Sequence, residues 1–154
     1  MQTVQEGEPA PDFSAKDSNG EPVNLSDFDG QRLVLYFYPK DDTPGCTKQA
    51  CSLRDSFAVF EEKNIKILGV STDDEKSHQK FVNKYNLPFT LLADTNHELS
   101  DIYGVYGEKS MYGKKYMGIT RTTFLIDENK KVVRIFRKVK VEQHAQEVLE
   151  AFGV

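Results

Sequence analysis

An α/β fold on a mixed sheet is predicted by three features of this chain. Two short runs, Leu33 to Tyr38 and Ile65 to Ser71, are apolar almost without interruption, as strands buried on both faces are. The stretches that follow them carry apolar residues at helical spacing. Near the C-terminus, two strand-like segments flank Asp127-Glu128-Asn129 and precede a last helical stretch, which adds a hairpin and a closing helix to the same layers.

The elements follow in order. Phe13 to Asp17 and Glu21 to Leu25 flank Ser18-Asn19-Gly20, and Asn-Gly favours a tight N-terminal β-hairpin because both residues tolerate positive φ. Ser26-Asp27-Phe28 opens a single helical turn. Arg32 to Pro39 is a strand. Thr43 to Asn64 reads as one helix, with Leu53, Phe57, Ala58 and Phe60 on its inner face. Ile65 to Ser71 is the second buried strand. Asp73 or Asp74 then caps a helix that runs to about Tyr85 and stops at Leu87-Pro88. Phe89 to Ala93 is a short strand, and Glu98 to Tyr103 a short helix. Gly104 to Gly118 is punctuated by glycine and shows neither periodicity, so it reads as a long loop. Thr120 to Asp127 and Lys131 to Lys138 are the hairpin strands, and Val141 to Phe152 is the closing helix, with Val141, Val148, Leu149 and Phe152 facing inward.

At 154 residues the chain is expected to form one domain, 1–154, with a sizeable core. Its 38% hydrophobic and 29% charged content is that of an ordinary globular protein. A net charge of −4, with basic residues scattered among acidic ones, argues against a nucleic-acid surface. No apolar run is long enough to cross a bilayer, and the first residues lack a secretory pattern, so a cytoplasmic location is expected. The two cysteines cannot build a zinc site alone, and His78, His97 and His144 lie far apart in sequence, so no metal is expected.

The most informative segment is LVLYFYPKDDTPGCTKQACSLRD, Leu33 to Asp55. With Thr43 as N-cap, Pro44 occupies the first helical position, where its missing N–H costs nothing. Cys46 then falls in the first turn, where unpaired backbone N–H groups and the positive end of the helix dipole favour a thiolate over a thiol. The expected result is a thiol more acidic than a free cysteine, whose pKa is about 8.5, and more nucleophilic near neutral pH. Cys51 lies five residues on. Cα atoms so spaced in a straight helix are about 8–9 Å apart, and a disulfide needs about 4.4–6.8 Å. Either Cys51 is an inert core residue, or the first turns must unwind before the two sulfurs can bond.

The string P39-K-D-D-T43-P-G-C46 resembles the P-x-x-x-T-x-x-C signature of peroxiredoxins, and its continuation to Cys51 resembles the bacterioferritin-comigratory (peroxiredoxin Q) subfamily. G118-I-T-R121-T-T-F-L-I-D127 is similar to that family's second signature. The resemblance runs nearly end to end, from PAPDF to the final helix. It implies a thioredoxin-like fold, with a central mixed sheet flanked by helices, and thiol-dependent reduction of hydrogen peroxide and organic hydroperoxides. By motif position, Cys46 would be the peroxidatic cysteine and Cys51 the resolving one. Thr43 would hydrogen-bond the thiolate or the peroxide, Pro39 would shield the pocket, and Arg121 would hold the thiolate and polarise the substrate. The sulfenic acid on Cys46 would condense with Cys51, and thioredoxin or a similar dithiol protein would reduce the disulfide. With both thiols in one chain, a monomer suffices. One departure stands out: Gln49 occupies a position where related sequences usually carry Glu.

A redox-sensing interaction protein is the rival class, in which unwinding exposes a partner surface. A general disulfide reductase is disfavoured by the cysteine spacing. Asp41 and Asp42 read as solvated loop residues, Arg54 is assigned no catalytic part, and the Tyr and Met residues of the 104–118 segment read as loop packing or a pocket rim.

Overall fold

The computed structural model describes residues 4–154, so the first three residues of the expected domain lie outside it. Strands β1 (Ser14–Lys16) and β2 (Pro22–Asn24) form the N-terminal hairpin, with Ala15 opposite Val23. Its turn is wider than Asn-Gly suggested. Only Gly20 takes positive φ, and the Asp17 side chain organises the loop by accepting from the Asn19 and Glu21 amides. A 3₁₀ turn over Leu25–Phe28 follows as expected, closed by the Asp27 carboxylate on the Asn24 amide at 2.8 Å.

The central sheet is built from β3 (Arg32–Phe37), β4 (Ile65–Ser71), β5 (Thr90–Ala93), β8 (Thr122–Ile126) and β9 (Val132–Phe136), in the order β5-β4-β3-β8-β9. β3, β4 and β5 run parallel, and β8 and β9 run antiparallel to their neighbours, so the sheet is mixed. Alternate residues of β3 and its extension face opposite ways. Leu33, Leu35 and Phe37 enter one apolar layer with Phe13, Leu99, Tyr103 and Phe124. Val34, Tyr36 and Tyr38 enter the other, with Cys46, Ala50, Leu53, Phe81 and Val148. Burial on both faces is why the run shows no polar alternation.

Helices α1 (Pro44–Asp55), α3 (Glu75–Tyr85) and α5 (His144–Phe152) cover the second face, and a short α2 (Phe57–Glu62) joins α1 to β4. The expected helix from Thr43 to Asn64 is therefore two: Ser56, at φ −107° and ψ 12°, ends one and begins the next. Apolar spacing cannot reveal such a break, because both pieces bury the same side. A 3₁₀ turn at Val141–Gln143 precedes α5, on which Val148 is buried and Leu149 and Phe152 pack against the core as expected, while His144 and Ala145 are buried as well. On the opposite face lies the short α4 (Glu98–Ile102).

The 104–118 segment is not a loop. It forms a second hairpin of β6 (Tyr106–Met111) and β7 (Lys114–Ile119), joined by Tyr112-Gly113 with φ of +52° and +80°. Two successive positive φ values are what a two-residue hairpin turn requires. Most of its residues are at least partly exposed, with Tyr112 98% exposed, so no alternation marks it in the sequence.

Candidate active site at the start of helix α1

Strand register assembles the site. Phe37 pairs with Thr122 across the antiparallel β3–β8 ladder, so the exit of β3 and the entrance of β8 lie side by side. Pro39 and Thr43 come from the segment that leaves β3, and Arg121 immediately precedes β8. Cys46 sits in the first turn of α1, only 2% exposed, against the second apolar layer.

Arg121 reaches across to that turn. One terminal nitrogen donates to Cys46 Sγ at 3.3 Å, and the other donates to Gln49 Oε1. Gln49 is fully buried one turn along α1 and holds the guanidinium in place without a charge of its own. Gly45 leaves the space this requires, since a Cβ there would stand 3.1 Å from the arginine nitrogen. The arrangement brings together a sulfur, a cation and the open N–H groups of a helix start, which suits the stabilisation of negative charge on sulfur and on an atom leaving it.

Thr43 is the N-cap of α1 by its backbone, but its side chain does not cap the helix. Its hydroxyl donates to the Lys40 carbonyl at 2.9 Å, which leaves its oxygen lone pairs as acceptors. Pro39 is half-buried in the same segment. Cys51 is half-buried, and both thiols are free. Since α1 spans both cysteines, their Cα atoms stand at helical separation, about 8–9 Å, beyond disulfide reach. Beyond Cys51, α1 is tied to α5 by the Ala145 amide, which donates to Ser52 Oγ at 3.1 Å.

Asp41 overturns its reading as a solvated loop residue. It is 7% exposed and accepts from three side chains: Tyr38 Oη at 2.6 Å, Ser77 Oγ at 2.7 Å and His78 Nδ1 at 2.7 Å. Burial keeps the Tyr38 phenol protonated, with its pKa raised well above the usual value, so it serves as a donor. The other ring nitrogen of fully buried His78 faces the Leu92 carbonyl at 2.9 Å. Both ring nitrogens thus face acceptors, and only an imidazolium satisfies both. Burial opposes that charge, but the Asp41 hydrogen bond and charge, the Leu92 carbonyl and Asp73 outweigh it, and the pKa of His78 is raised. Asp73 does not cap α3; it accepts from the Asp41 amide and Ser71 Oγ, and Asp74 is the cap. Asp42 is exposed at φ +56° and is held by Lys84 Nζ and Tyr85 Oη, each at 2.8 Å.

His144 is the opposite case. It is fully buried, its Nδ1 donates to Glu147, and its Nε2 accepts from Thr123, so one proton satisfies the ring. Burial, reinforced by the charge of Arg121, outweighs Glu147 and lowers its pKa. The two histidines therefore bias stability in opposite directions. For His78, native and unfolded chains are both protonated below the unfolded value of about 6.5, and its contribution is fully present there; it is lost as pH rises through the raised native value. For His144, stability falls as pH drops through about 6.5, because the unfolded chain binds the proton more readily. Urea denaturation should accordingly show the gap between wild type and His78→Gln narrowing as pH rises above about 6.5. A gap that widened would contradict the imidazolium.

The 72-residue separation of Gln49 and Arg121 is spanned by two motifs that could be read in the sequence. Asp41 stands at an unspecified position of the first motif and His78, 37 residues on, lies outside both, so only the fold brings them together. Lys109 was also missed. It comes from β6, donates to the Ile119 carbonyl at 2.8 Å, and has its pKa lowered by burial and by the charge of Arg121.

Comparison with known proteins agrees with this geometry. Residues 6–135 match the AhpC/TSA family. The chain is 49% identical over 148 residues to peroxiredoxin Bcp of Bacillus subtilis, which covers 96% of this chain and 94% of the relative. A solved cysteine-to-serine mutant of Xylella fastidiosa PrxQ superposes with a TM-score of 0.92 at 36% identity, over 99% of this chain and 98% of that one. The bacterioferritin comigratory protein of Xanthomonas campestris, in a study of its alkyl peroxide reduction activity, superposes with a TM-score of 0.90 at 39% identity and the same coverage. With its thioredoxin-like sheet, its helix-start cysteine and its arginine at that sulfur, the chain belongs to the AhpC/TSA family and, within it, to the Bcp/PrxQ peroxiredoxins, which are thiol peroxidases.

Proposed function

We propose that Cys46 is the peroxidatic cysteine of a self-contained thioredoxin-like domain that reduces hydrogen peroxide and organic hydroperoxides. The observation that carries this reading is the Arg121 nitrogen 3.3 Å from a sulfur buried in the first turn of α1. The Cys46 thiolate attacks one oxygen of R–O–O–H, the O–O bond breaks, and the other oxygen leaves as alkoxide or hydroxide and takes up a proton. Negative charge passes from sulfur to the leaving oxygen. Arg121 and the helix-start N–H groups stay close to both ends of that transfer without reorganising. The Thr43 oxygen, its own proton committed to Lys40, accepts a hydrogen bond from the peroxide O–H. Pro39 limits water on the outer side. Organic substrates fit the alkyl peroxide activity described for the Xanthomonas relative.

The product on sulfur is a sulfenic acid. The Cys51 thiolate then attacks Cys46 Sγ, the S–O bond breaks, and hydroxide leaves as water, which closes an intrachain disulfide. That step requires the first turns of α1 to unwind, a local opening that helix ends permit at low cost. An external dithiol, thioredoxin or a similar protein, attacks the disulfide and returns both thiols. One chain completes this cycle, so a monomer is the working unit. Two free thiols at rest suit a reducing cytoplasm.

The Cys51→Ser variant tests the division of labour. It should consume one peroxide per chain and form the sulfenic acid at the wild-type rate, then stall, with thioredoxin-driven turnover reduced to a small residue. Undiminished steady-state turnover in this variant would show that another thiol resolves the intermediate.

A further inference from the structure

The segment Tyr38–Thr43 leads from β3 into α1 and includes Tyr38, which packs in the same apolar layer as Cys46, yet it has no regular secondary structure. What fixes it is α3. Asp41 is bound by Ser77 and His78 of that helix, by Tyr38 from below, and through its amide by Asp73, which Ser71 also holds. His78 is in turn fixed by the Leu92 carbonyl of β5. Every side-chain polar atom of this buried pair has a partner, and Asp41 stands three residues before Pro44, where α1 begins. A fully satisfied buried pair rigidifies what it holds, and loss of one partner strands a charge.

We propose that the buried Asp41–His78 pair is a latch that holds the entry to α1 in its peroxide-reactive form and opposes the unwinding that lets Cys51 reach Cys46. Asp41 and His78 act as positioning residues; neither touches the reacting sulfur. The inference rests on the assignment of Cys46 and Cys51 made above. Two chemical steps pull on the latch in opposite directions. Oxidation of Cys46 needs the first turn of α1 intact, with Arg121 and the N–H groups in place. Disulfide closure needs that turn gone, since the intact helix keeps the cysteines about 8–9 Å apart. Weakening the latch therefore slows the first step and speeds the second, a split that general destabilisation does not produce.

The test uses the full chain carrying His78→Gln, mixed with one equivalent of hydrogen peroxide, quenched at successive times and analysed by mass spectrometry for sulfenic acid and disulfide. Cys46 oxidation should slow by about tenfold or more, as small displacements of reacting groups do. Disulfide closure from the sulfenic acid should accelerate, and over-oxidation to the sulfinic acid at high peroxide should fall. Ser77→Ala removes one donor to Asp41 while leaving His78 in place, and should move both rates in the same directions by less; it also serves if His78→Gln does not fold. Lys84→Ala, which breaks the exposed tether to Asp42, should leave both rates within about twofold, as for most surface pairs. Rates unchanged in His78→Gln, or slowed together in both steps, would overturn the latch, as would an equal effect in Lys84→Ala. If wild type itself formed no bond between Cys46 and Cys51, the assignment of the resolving thiol would fail separately. The first step measured in a Cys51→Ser background would then still decide whether His78 positions Cys46.

Discussion

Replacing Cys46 with serine should reduce peroxide consumption, measured with dithiothreitol as reductant, to the rate of the buffer alone. The substitution changes one atom, and the site keeps its shape: a serine hydroxyl fits the same buried space and can still accept from Arg121. What is lost is the nucleophile. An alcohol oxygen attacks a peroxide far more poorly than sulfur does, even when it is positioned. No neighbouring residue can take over the attack. Cys51, five residues on, faces a different part of α1 and lacks the arginine contact that Cys46 has. Residual turnover above the blank with an intact fold would mean that a second thiol reacts with peroxide directly, and the assignment of roles would have to be reversed.

Replacing Arg121 with alanine should slow the first oxidation of Cys46 by about 10²–10³-fold, the usual cost of removing one preorganised donor at a site of charge transfer. Stopped-flow mixing with peroxide under single-turnover conditions reads this step without interference from recycling. The guanidinium does two jobs through separate nitrogens, one on Cys46 Sγ and one on Gln49 Oε1. Alanine also leaves the buried Gln49 carbonyl without its donor, which adds a stability loss of about 1–3 kcal/mol. Lysine should rescue only part of the rate, because a single ammonium on a flexible stem cannot hold both partners in a fixed fork. An Arg121→Ala variant that oxidised at the wild-type rate would remove the arginine from the chemistry and leave the helix start as the sole source of thiolate stabilisation.

Much of the site was legible because its residues carry local signals. Pro44 at the first helical position, Cys46 in the first turn and the spacing to Cys51 all follow from how helices begin, and α1 starts where those rules place it. The buried strands were legible because burial on both faces removes alternation, as the two apolar layers against β3 show. The β6–β7 hairpin escaped for the converse reason: Tyr112 and Met117 are exposed and its strands bury little, so neither period was written into it. The break at Ser56 escaped because it preserves the buried side of both helices. Asp41 escaped because an aspartate in a short polar segment looks the same whether it faces water or a histidine 37 positions away. The sequence marks Gln49 as a departure from the usual Glu but not what it touches: its amide oxygen accepts from the Arg121 guanidinium as a carboxylate would, without offsetting its charge.

Locating the first sulfur to be oxidised decides whether Cys46 is the peroxide-reactive thiol. The reduced protein is treated with less than one equivalent of hydrogen peroxide, with and without a sulfenic-acid trap, and its peptides are mapped by mass spectrometry. A trap adduct on Cys46 alone is expected, and without the trap a single intrachain bond between Cys46 and Cys51. A first adduct on Cys51, or two thiols left untouched while peroxide disappears, would contradict that role for Cys46.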